Sequence, residues 1–183
     1  MKRVSLIFLQ LLCWVSCFAQ TQPIQFDENG GFSRIMEVRA TAKQAFQFCR
    51  SYLSSKIKDY QKAVQIEDAT INKIKINYNF RFVEEAVSLY PNTKSYYDAY
   101  EFSKLTVDCK DNKIRVMLES PTYNYKFYGG NMLIDSRNNA EYWLVSGMVA
   151  DKKHFQTTRS NEYLWLILGM KLYIEEQVKN EDW

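Results

Sequence analysis

Few residues in this chain of 183 could carry out chemistry. His154 is the single histidine, so a Ser-His-Asp or Cys-His arrangement would have to use it. It follows Lys152 and Lys153 in a polar stretch, where a surface position is expected. The sequence shows no His/Cys cluster with metal-ligand spacing, no glycine-rich phosphate loop and no dinucleotide fingerprint. We therefore predict no catalytic residues, no metal site and no cofactor.

Paired carboxylates are the remaining catalytic option, because two acids with separated pKa values can serve a hydrolase. The candidate pairs of acids adjacent in sequence are Glu67-Asp68, Glu84-Glu85 and Glu175-Glu176. Each pair falls where a turn or a helix surface is expected. Acids distant in sequence could still meet, so a carboxylate-dependent hydrolase stays an alternative to a non-catalytic protein.

Aromatic residues give the strongest signal in the composition, with 13 tyrosines and 11 phenylalanines. Exposed rings suit the recognition of sugars, peptides or lipids. Aromatic residues also favour strands, so packing within a sheet is the competing interpretation. The candidate binding surface consists of Tyr97, Tyr100, Tyr123, Tyr125, Tyr128 and Trp143.

A helix is predicted from Ala42 to about Ile57. Thr41 can cap its first turn, and Gln44 completes a capping box. Apolar residues recur at steps of three and four, which predicts one buried face. This face consists of Ala42, Ala45, Phe46, Cys49, Leu53 and Ile57. Phe48 and Tyr52 widen it, so we expect the helix to touch a second layer.

The strand from Lys73 to Phe82 alternates apolar and polar residues, which is typical of an antiparallel sheet with one buried face. We expect the helix to lie on that face and the other face to be exposed to solvent. The other predicted strands are Phe32 to Ala40, Lys62 to Asp68, Tyr96 to Cys109, the strand carrying Ile114 to Leu118, Met132 to Ile134 and Tyr142 to Val149.

Turns and irregularities are predicted from a few residues. Asp111 and Asn112 suit a two-residue hairpin turn. A change of parity near Ser103 predicts a bulge there, and Pro121 marks a strand end or an edge position. Residues 83–93 fit either a helical turn or a continuation of the strand.

A final helix is predicted from Ser160 to about Val178, after a polar break at residues 152–154. Its segment Tyr163 to Met170 is apolar nearly all round, which predicts burial on several sides. Core packing is the main interpretation, and a pocket against the sheet or a docked partner is the alternative.

The N-terminus predicts export. Residues 1–19 combine a basic start, an apolar run and small residues at Cys17 and Ala19, so we expect cleavage after Ala19. The apolar run is shorter than the roughly 20 residues that a membrane span needs. Lipidation at Cys17 is the alternative to plain secretion. We expect the mature chain in the periplasm or outside the cell, without a membrane span.

After this signal, residues 20–31 are predicted to form a flexible lead-in, and residues 32–183 a single domain. The net charge of +3 shrinks when the basic start is removed, which argues against a nucleic-acid partner. Cys49 and Cys109 remain. An exported protein could join them, but two buried free thiols are favoured, since the sequence does not place them within bonding distance.

Three tracts of the chain resemble a known family. They are Phe32 to Ala40 leading into the Thr41 helix, Gln65 to Asp68 followed by Lys73 to Ile76, and the hairpin from Leu105 to Val116. The chain resembles the secreted domain-of-unknown-function family DUF4468, common in Bacteroidetes, which is assigned a TBP-like fold. The resemblance covers residues 32–125, and residues 126–183 are an extension. It implies a curved antiparallel sheet crossed by helices and implies no activity, because the family has none assigned.

Together these observations predict an α+β fold with the order β-α-β-β-β-β, in which the first helix and a long C-terminal helix pack on one face of the sheet. We expect an exported, non-catalytic binding or interaction domain. Its partner is either an apolar small molecule between the sheet and the final helix, or an envelope protein at the aromatic surface. The alternatives are a carboxylate-dependent envelope hydrolase and a structural lipoprotein component.

Overall fold

The computed structural model describes residues 22–88, 94–127, 130–134, 142–145 and 148–181. The predicted signal peptide over residues 1–19, with Cys17, lies outside these residues. The strands are β1 (Phe32–Glu37), β2 (Val64–Asp68), β3 (Lys73–Ser88), β4 (Lys94–Lys110), β5 (Lys113–Phe127), β6 (Gly130–Ile134), β7 (Tyr142–Val145) and β8 (Met148–Asp151). The helices are α1 (Ala42–Lys56), α2 (Tyr60–Ala63) and α3 (Lys152–Glu181).

All eight strands belong to one antiparallel sheet with the order β1-β5-β4-β3-β8-β7. β2 adds to the first part of β3, and β6 adds to the last part of β5. The sheet is curved and does not close. The predicted α+β fold with a curved antiparallel sheet is therefore confirmed.

One face of the sheet is covered by α1 and α3, and this closed face holds the core. Strand residues pointing to it are fully or almost fully buried: Ile74, Ile76, Leu105, Val107, Ile114, Val116 and Leu118. From α1, Phe46, Cys49 and Leu53 pack against them. The alternation that predicted one apolar face for β3 is thus confirmed, because side chains alternate between faces along a strand.

The predicted first helix is confirmed, with its capping box. Gln44 N–H donates to Thr41 Oγ1 over 3.3 Å, and Thr41 N–H donates to Gln44 Oε1 over 3.1 Å. Phe48 and Tyr52 are buried as well, and the Tyr52 ring lies 5.8 Å from that of Tyr173 on α3. As expected, α1 therefore contacts a second layer.

The turn between β4 and β5 also fixes the start of α1. Asp111 and Asn112 form the predicted two-residue turn, although only Asn112 has a positive φ, of 59°. Asp111 Oδ1 accepts from Ala42 N–H over 2.7 Å. Asn112 N–H donates to Ala40 O over 2.9 Å, and Val38 N–H donates to Asn112 O over 3.0 Å. The hairpin thus clamps the connection between β1 and α1.

Several predicted boundaries are wrong. β1 ends at Glu37 instead of Ala40, and the single strand predicted over Tyr142 to Val149 is two antiparallel strands, β7 and β8. β2 begins at Val64, because residues 60–63 form the short helix α2, whose Tyr60 side chain is buried. The final helix begins at Lys152 instead of Ser160. The polarity of residues 152–154 does not break the helix, because a long helix accepts polar residues in its first turns. The open question at residues 83–88 is answered by β3, which continues to Ser88.

The bulge predicted in β4 near Ser103 is absent, and a bulge lies in the facing part of β5 instead. Pairing between β3 and β4 is unbroken, and Glu101 and Ser103 continue the buried face of β4. Against β5, Phe102 pairs with Thr122 while Lys104 pairs with Glu119, so the extra residue belongs to β5. Pro121 lies in this bulge, where its missing N–H breaks no ladder hydrogen bond.

The final helix is less buried than its composition predicted. Tyr163, Ile167, Met170 and Ile174 of α3 are fully buried, but Trp165 is 71% exposed and Leu172 is 64% exposed. Within the described residues, the helix therefore buries one broad face and leaves two large apolar side chains in solvent.

Candidate functional site

A buried ion pair links the closed face of the sheet to α3. Glu101 of β4 and Arg159 of α3 are 0% and 2% exposed. Arg159 Nε donates to Glu101 Oε2 over 2.5 Å, and Arg159 Nη2 donates to Glu101 Oε1 over 3.1 Å. Two parallel hydrogen bonds of this kind fix both charges in one orientation. The pair therefore sets the position of α3 on the sheet.

Hydroxyl groups complete this cluster. Tyr163 Oη donates to Glu101 Oε1 over 2.5 Å and lies 3.1 Å from Ser103 Oγ. Ser103 Oγ also donates to the carbonyl of Tyr78 over 3.0 Å. Burial, with the charge of Glu101, raises the pKa of Tyr163 well above its usual value. Because Glu101 is fully buried and already accepts three hydrogen bonds, it has a structural role and is not placed to reach a substrate.

The same end of α3 holds the segment before β1. Arg159 Nη2 donates to Gly30 O over 2.7 Å, and the Arg159 guanidinium carbon lies 3.9 Å from the centre of the Phe26 ring. Ile24 N–H donates to Ser160 Oγ over 2.8 Å. The described part of the predicted flexible lead-in, residues 22–31, is therefore attached to the domain by specific contacts.

Packed side chains fill the space between the sheet and α3 in the part of the chain that the structure describes. Tyr163, Ile167, Met170 and Ile174 are at most 1% exposed there. The Tyr163 ring stacks edge-on against Phe32, with ring centres 5.2 Å apart. This region gives no support to an apolar ligand held between sheet and helix.

The opposite face of the sheet carries polar side chains, and we call it the open face. Ion pairs lie across its first half. Asp108 is held by Lys73 at 3.5 Å and by Arg115 at 2.6 Å. Lys75 Nζ lies 3.1 Å from Glu119 Oε2. These ion pairs link three neighbouring strands, and Asp108 is shared by two cations.

The second half of the open face contains a concavity of about 480 Å³. It is lined by Asn77, Asn79, Phe102, Lys104 and Thr122 of the open face, together with Ser103, whose hydroxyl lies on the closed face. The strand register explains the cluster, because Asn79, Phe102 and Thr122 lie opposite one another on β3, β4 and β5, and Asn77 lies opposite Lys104. Gln65 of β2 borders it and donates to Asn77 Oδ1 over 2.8 Å. We call this site the Phe102 concavity.

The Phe102 concavity combines an exposed aromatic ring with polar groups. The Phe102 ring is 41% exposed, so it can contact an apolar group. Two amides, a hydroxyl and an ammonium group surround the ring and supply hydrogen-bond donors and acceptors. The lining residues contain no histidine, cysteine or carboxylate, and so no evident base for the hydroxyl of Thr122.

One residue of the predicted binding surface has a described side chain near this site. Tyr100 is half-buried and lies two positions before Phe102 on β4. The backbones of Tyr97, Tyr123, Tyr125 and Trp143 belong to β4, β5 and β7, with Tyr123 opposite Glu101 and Tyr125 opposite Ala99. The side chains of these four residues, and all of Tyr128, lie outside the described residues.

None of the lining residues belongs to the predicted binding surface. The signal that could have found them was the polar alternation of β3, which placed Asn77 and Asn79 on its wet face. Phe102 lies two positions after Tyr100 and so shares its face of β4, but its neighbours across the sheet depend on the register. That register includes the bulge at Pro121, which sequence alone located in the wrong strand.

Two further features are absent from the described part of the chain. It contains no group of three or more His, Cys, Asp or Glu residues placed to hold a metal ion. None of its helices is long and apolar enough to cross a membrane.

Comparison with known proteins supports the fold. No family model matches the sequence, and no curated protein matches it. A crystal structure of a DUF4468 family protein from Bacteroides ovatus is similar, with a TM-score of 0.52 and 11% identity over 81% of this chain and 89% of that one. A TBP-like protein from Parabacteroides distasonis has a TM-score of 0.47 and 11% identity, over 86% of this chain and 97% of that one. The likeness to the DUF4468 structure confirms the predicted resemblance at the level of the fold.

Proposed function

We propose that this chain is an exported, non-catalytic binding domain that holds a segment of a partner protein in the Phe102 concavity. The observation that carries the proposal is the uncovered concavity itself, in which an exposed aromatic ring lies among amide, hydroxyl and ammonium groups. Export is supported by the signal pattern over residues 1–19.

A protein segment fits the site better than an apolar small molecule. Pockets for small ligands usually enclose most of the ligand surface, whereas this concavity lies on an open sheet face. A peptide can lay one apolar side chain on Phe102 and pair its backbone polar groups with Asn77, Asn79 and Thr122. Lys104 is exposed and has no ion-pair partner among the described residues, so it can meet an acidic group.

Substitution of Phe102 tests this proposal. The full chain and its Phe102→Ser variant are each expressed in a Gram-negative bacterial host. Each is cross-linked to neighbouring proteins in the cell, and the cross-linked proteins are quantified by mass spectrometry. A partner should be enriched with the unaltered chain and reduced about tenfold with the variant, as is usual for a central aromatic contact. The purified partner should then show the same difference in dissociation constant.

Ile71→Ser is the matched control. Ile71 is 61% exposed in the turn before β3 and lies away from the lining residues. Ile71→Ser should leave binding unchanged, and urea unfolding should show that both variants are fully folded under the conditions of the binding measurement. Equal loss of binding with both variants, or no partner that depends on Phe102, contradicts the proposed site. Sequencing of the mature N-terminus tests export, with Gln20 or a lipidated Cys17 as the first residue.

A further inference from the structure

The two cysteines outside the predicted signal face each other across the interface between helix and sheet. Cys49 lies on α1 and Cys109 near the end of β4, with side chains that are 0% and 4% exposed. The Cys109 thiol donates to Cys49 Sγ over 3.9 Å. The fold therefore brings into contact two thiols that are 60 positions apart in sequence.

Hydrogen bonds fix the backbone on both sides of this contact. Cys109 N–H donates to Asn72 O over 2.9 Å. At the start of α1, Ala42 N–H donates to Asp111 Oδ1 over 2.7 Å, and Asn112 N–H donates to Ala40 O over 2.9 Å. Because the hairpin and the helix are clamped together, the two thiols stay adjacent in the folded protein.

We propose that Cys49 and Cys109 form a disulfide when the chain folds in an oxidising compartment, which cross-links α1 to the hairpin of β4 and β5. A disulfide joins sulfurs at about 2.05 Å, so the two must approach by roughly 1.9 Å. Rotation of both side chains and a small shift of α1 can supply this movement. The bond would close a long loop, the arrangement in which a cross-link most restricts the unfolded chain.

The reaction balances with a small-molecule disulfide as the oxidant. The two protein thiols and one R–S–S–R give the Cys49–Cys109 bond and two R–SH, so two electrons and two protons pass to the reagent. Export belongs to the proposed function, but a glutathione redox buffer supplies the same oxidant to the purified chain. The test therefore does not depend on export or on the Phe102 concavity.

Burial determines when this reaction is fast. The neighbouring Cys109 thiol and burial raise the pKa of the Cys49 thiol well above its usual value. Little reactive thiolate is then present in the folded state, and the reagent has no direct access to either sulfur. Oxidation should be rapid while the chain refolds and slow once it has folded.

Peptide mapping identifies the bond directly. The full chain is refolded from the reduced state in a mixture of oxidised and reduced glutathione, its remaining thiols are blocked, and it is digested with trypsin without reduction. Cys49 falls in peptide 44–50 and Cys109 in peptide 105–110, whereas Cys13 and Cys17 fall in another peptide. We expect peptides 44–50 and 105–110 to be recovered joined, with a mass lower by two hydrogens than their sum.

Thermal unfolding gives a second measurement. The oxidised chain should have a Tm roughly 5 to 15 °C above that of the reduced chain. The Cys109→Ala variant, which cannot form this bond, should have the same Tm with and without reductant. Recovery of both peptides separately with blocked thiols, or joined to the peptide of Cys13 and Cys17, overturns the proposal.

Discussion

The two faces of one sheet treat polar residues in opposite ways. On the closed face, Glu101, Arg159 and Tyr163 are buried and hydrogen-bonded to one another. On the open face, Lys104 and Asn79 are exposed in the concavity beside Phe102. The difference teaches that burial, and not residue type, separates structural polar groups from groups available to a partner. A carboxylate on the closed face is committed to the fold, whereas an amide on the open face can still bind.

Breaking one ion pair on each face should give effects of very different size. Arg159→Met leaves the Glu101 carboxylate buried without its partner, so we expect a loss of about 3–5 kcal/mol in the free energy of unfolding. Urea denaturation measures this loss. The double variant Glu101→Gln with Arg159→Met removes the unpaired charge and should be more stable than Arg159→Met alone. The single variant Glu101→Gln is measured as well. A double variant whose loss in the free energy of unfolding equals the sum of the losses of Arg159→Met and Glu101→Gln would contradict this account.

The next largest effect is expected at high pH, where two tyrosines of the closed face lower the free energy of unfolding. The pKa of Tyr163 is raised by burial and by the charge of Glu101, and burial raises the pKa of Tyr78 to about 12. Above pH 10 the unfolded chain releases these protons while the folded chain keeps them. The free energy of unfolding should therefore be steady below pH 10 and fall as the pH rises further.

Tyr163→Phe separates the contribution of this group. The variant loses a hydrogen bond to a charged acceptor, which costs about 1.5–3 kcal/mol at neutral pH. It should also decline less steeply than the parent above pH 10, because one titrating group has been removed. Parallel pH profiles for variant and parent would rule out this role for Tyr163.

The smallest effect is expected on the open face. Lys75→Met breaks the ion pair with Glu119, whose side chains are 25% and 49% exposed. Water screens such pairs, so the loss should stay below about 1 kcal/mol. Lys75→Arg keeps the charge and serves as the control in the same urea titration. If Lys75→Met lowered the free energy of unfolding as much as Arg159→Met, the proposed difference between the two faces would be wrong.

Local patterns predicted the elements of this fold better than its junctions. The Thr41 capping box and the alternation along β3 are short-range signals, and the structure has both. The start of α3 and the bulge at Pro121 depend on neighbours in space, so sequence misplaced both. Glu101 was not predicted to be buried, because its partner Arg159 lies 58 positions away. The Phe102 concavity was missed for the same reason, since three strands must align before it exists.

The clamp at the Asp111-Asn112 turn has a consequence for the order of folding. β1 is synthesised before all the other described strands, yet its partners in β5 lie at residues 113–118. The hairpin of β4 and β5 can close locally, whereas β1 must pay the entropy of a long loop. The turn also supplies a hydrogen bond to the first turn of α1, so that helix is complete only after the hairpin forms. β1 is thus synthesised first among the described strands but is among the last to pair in the sheet.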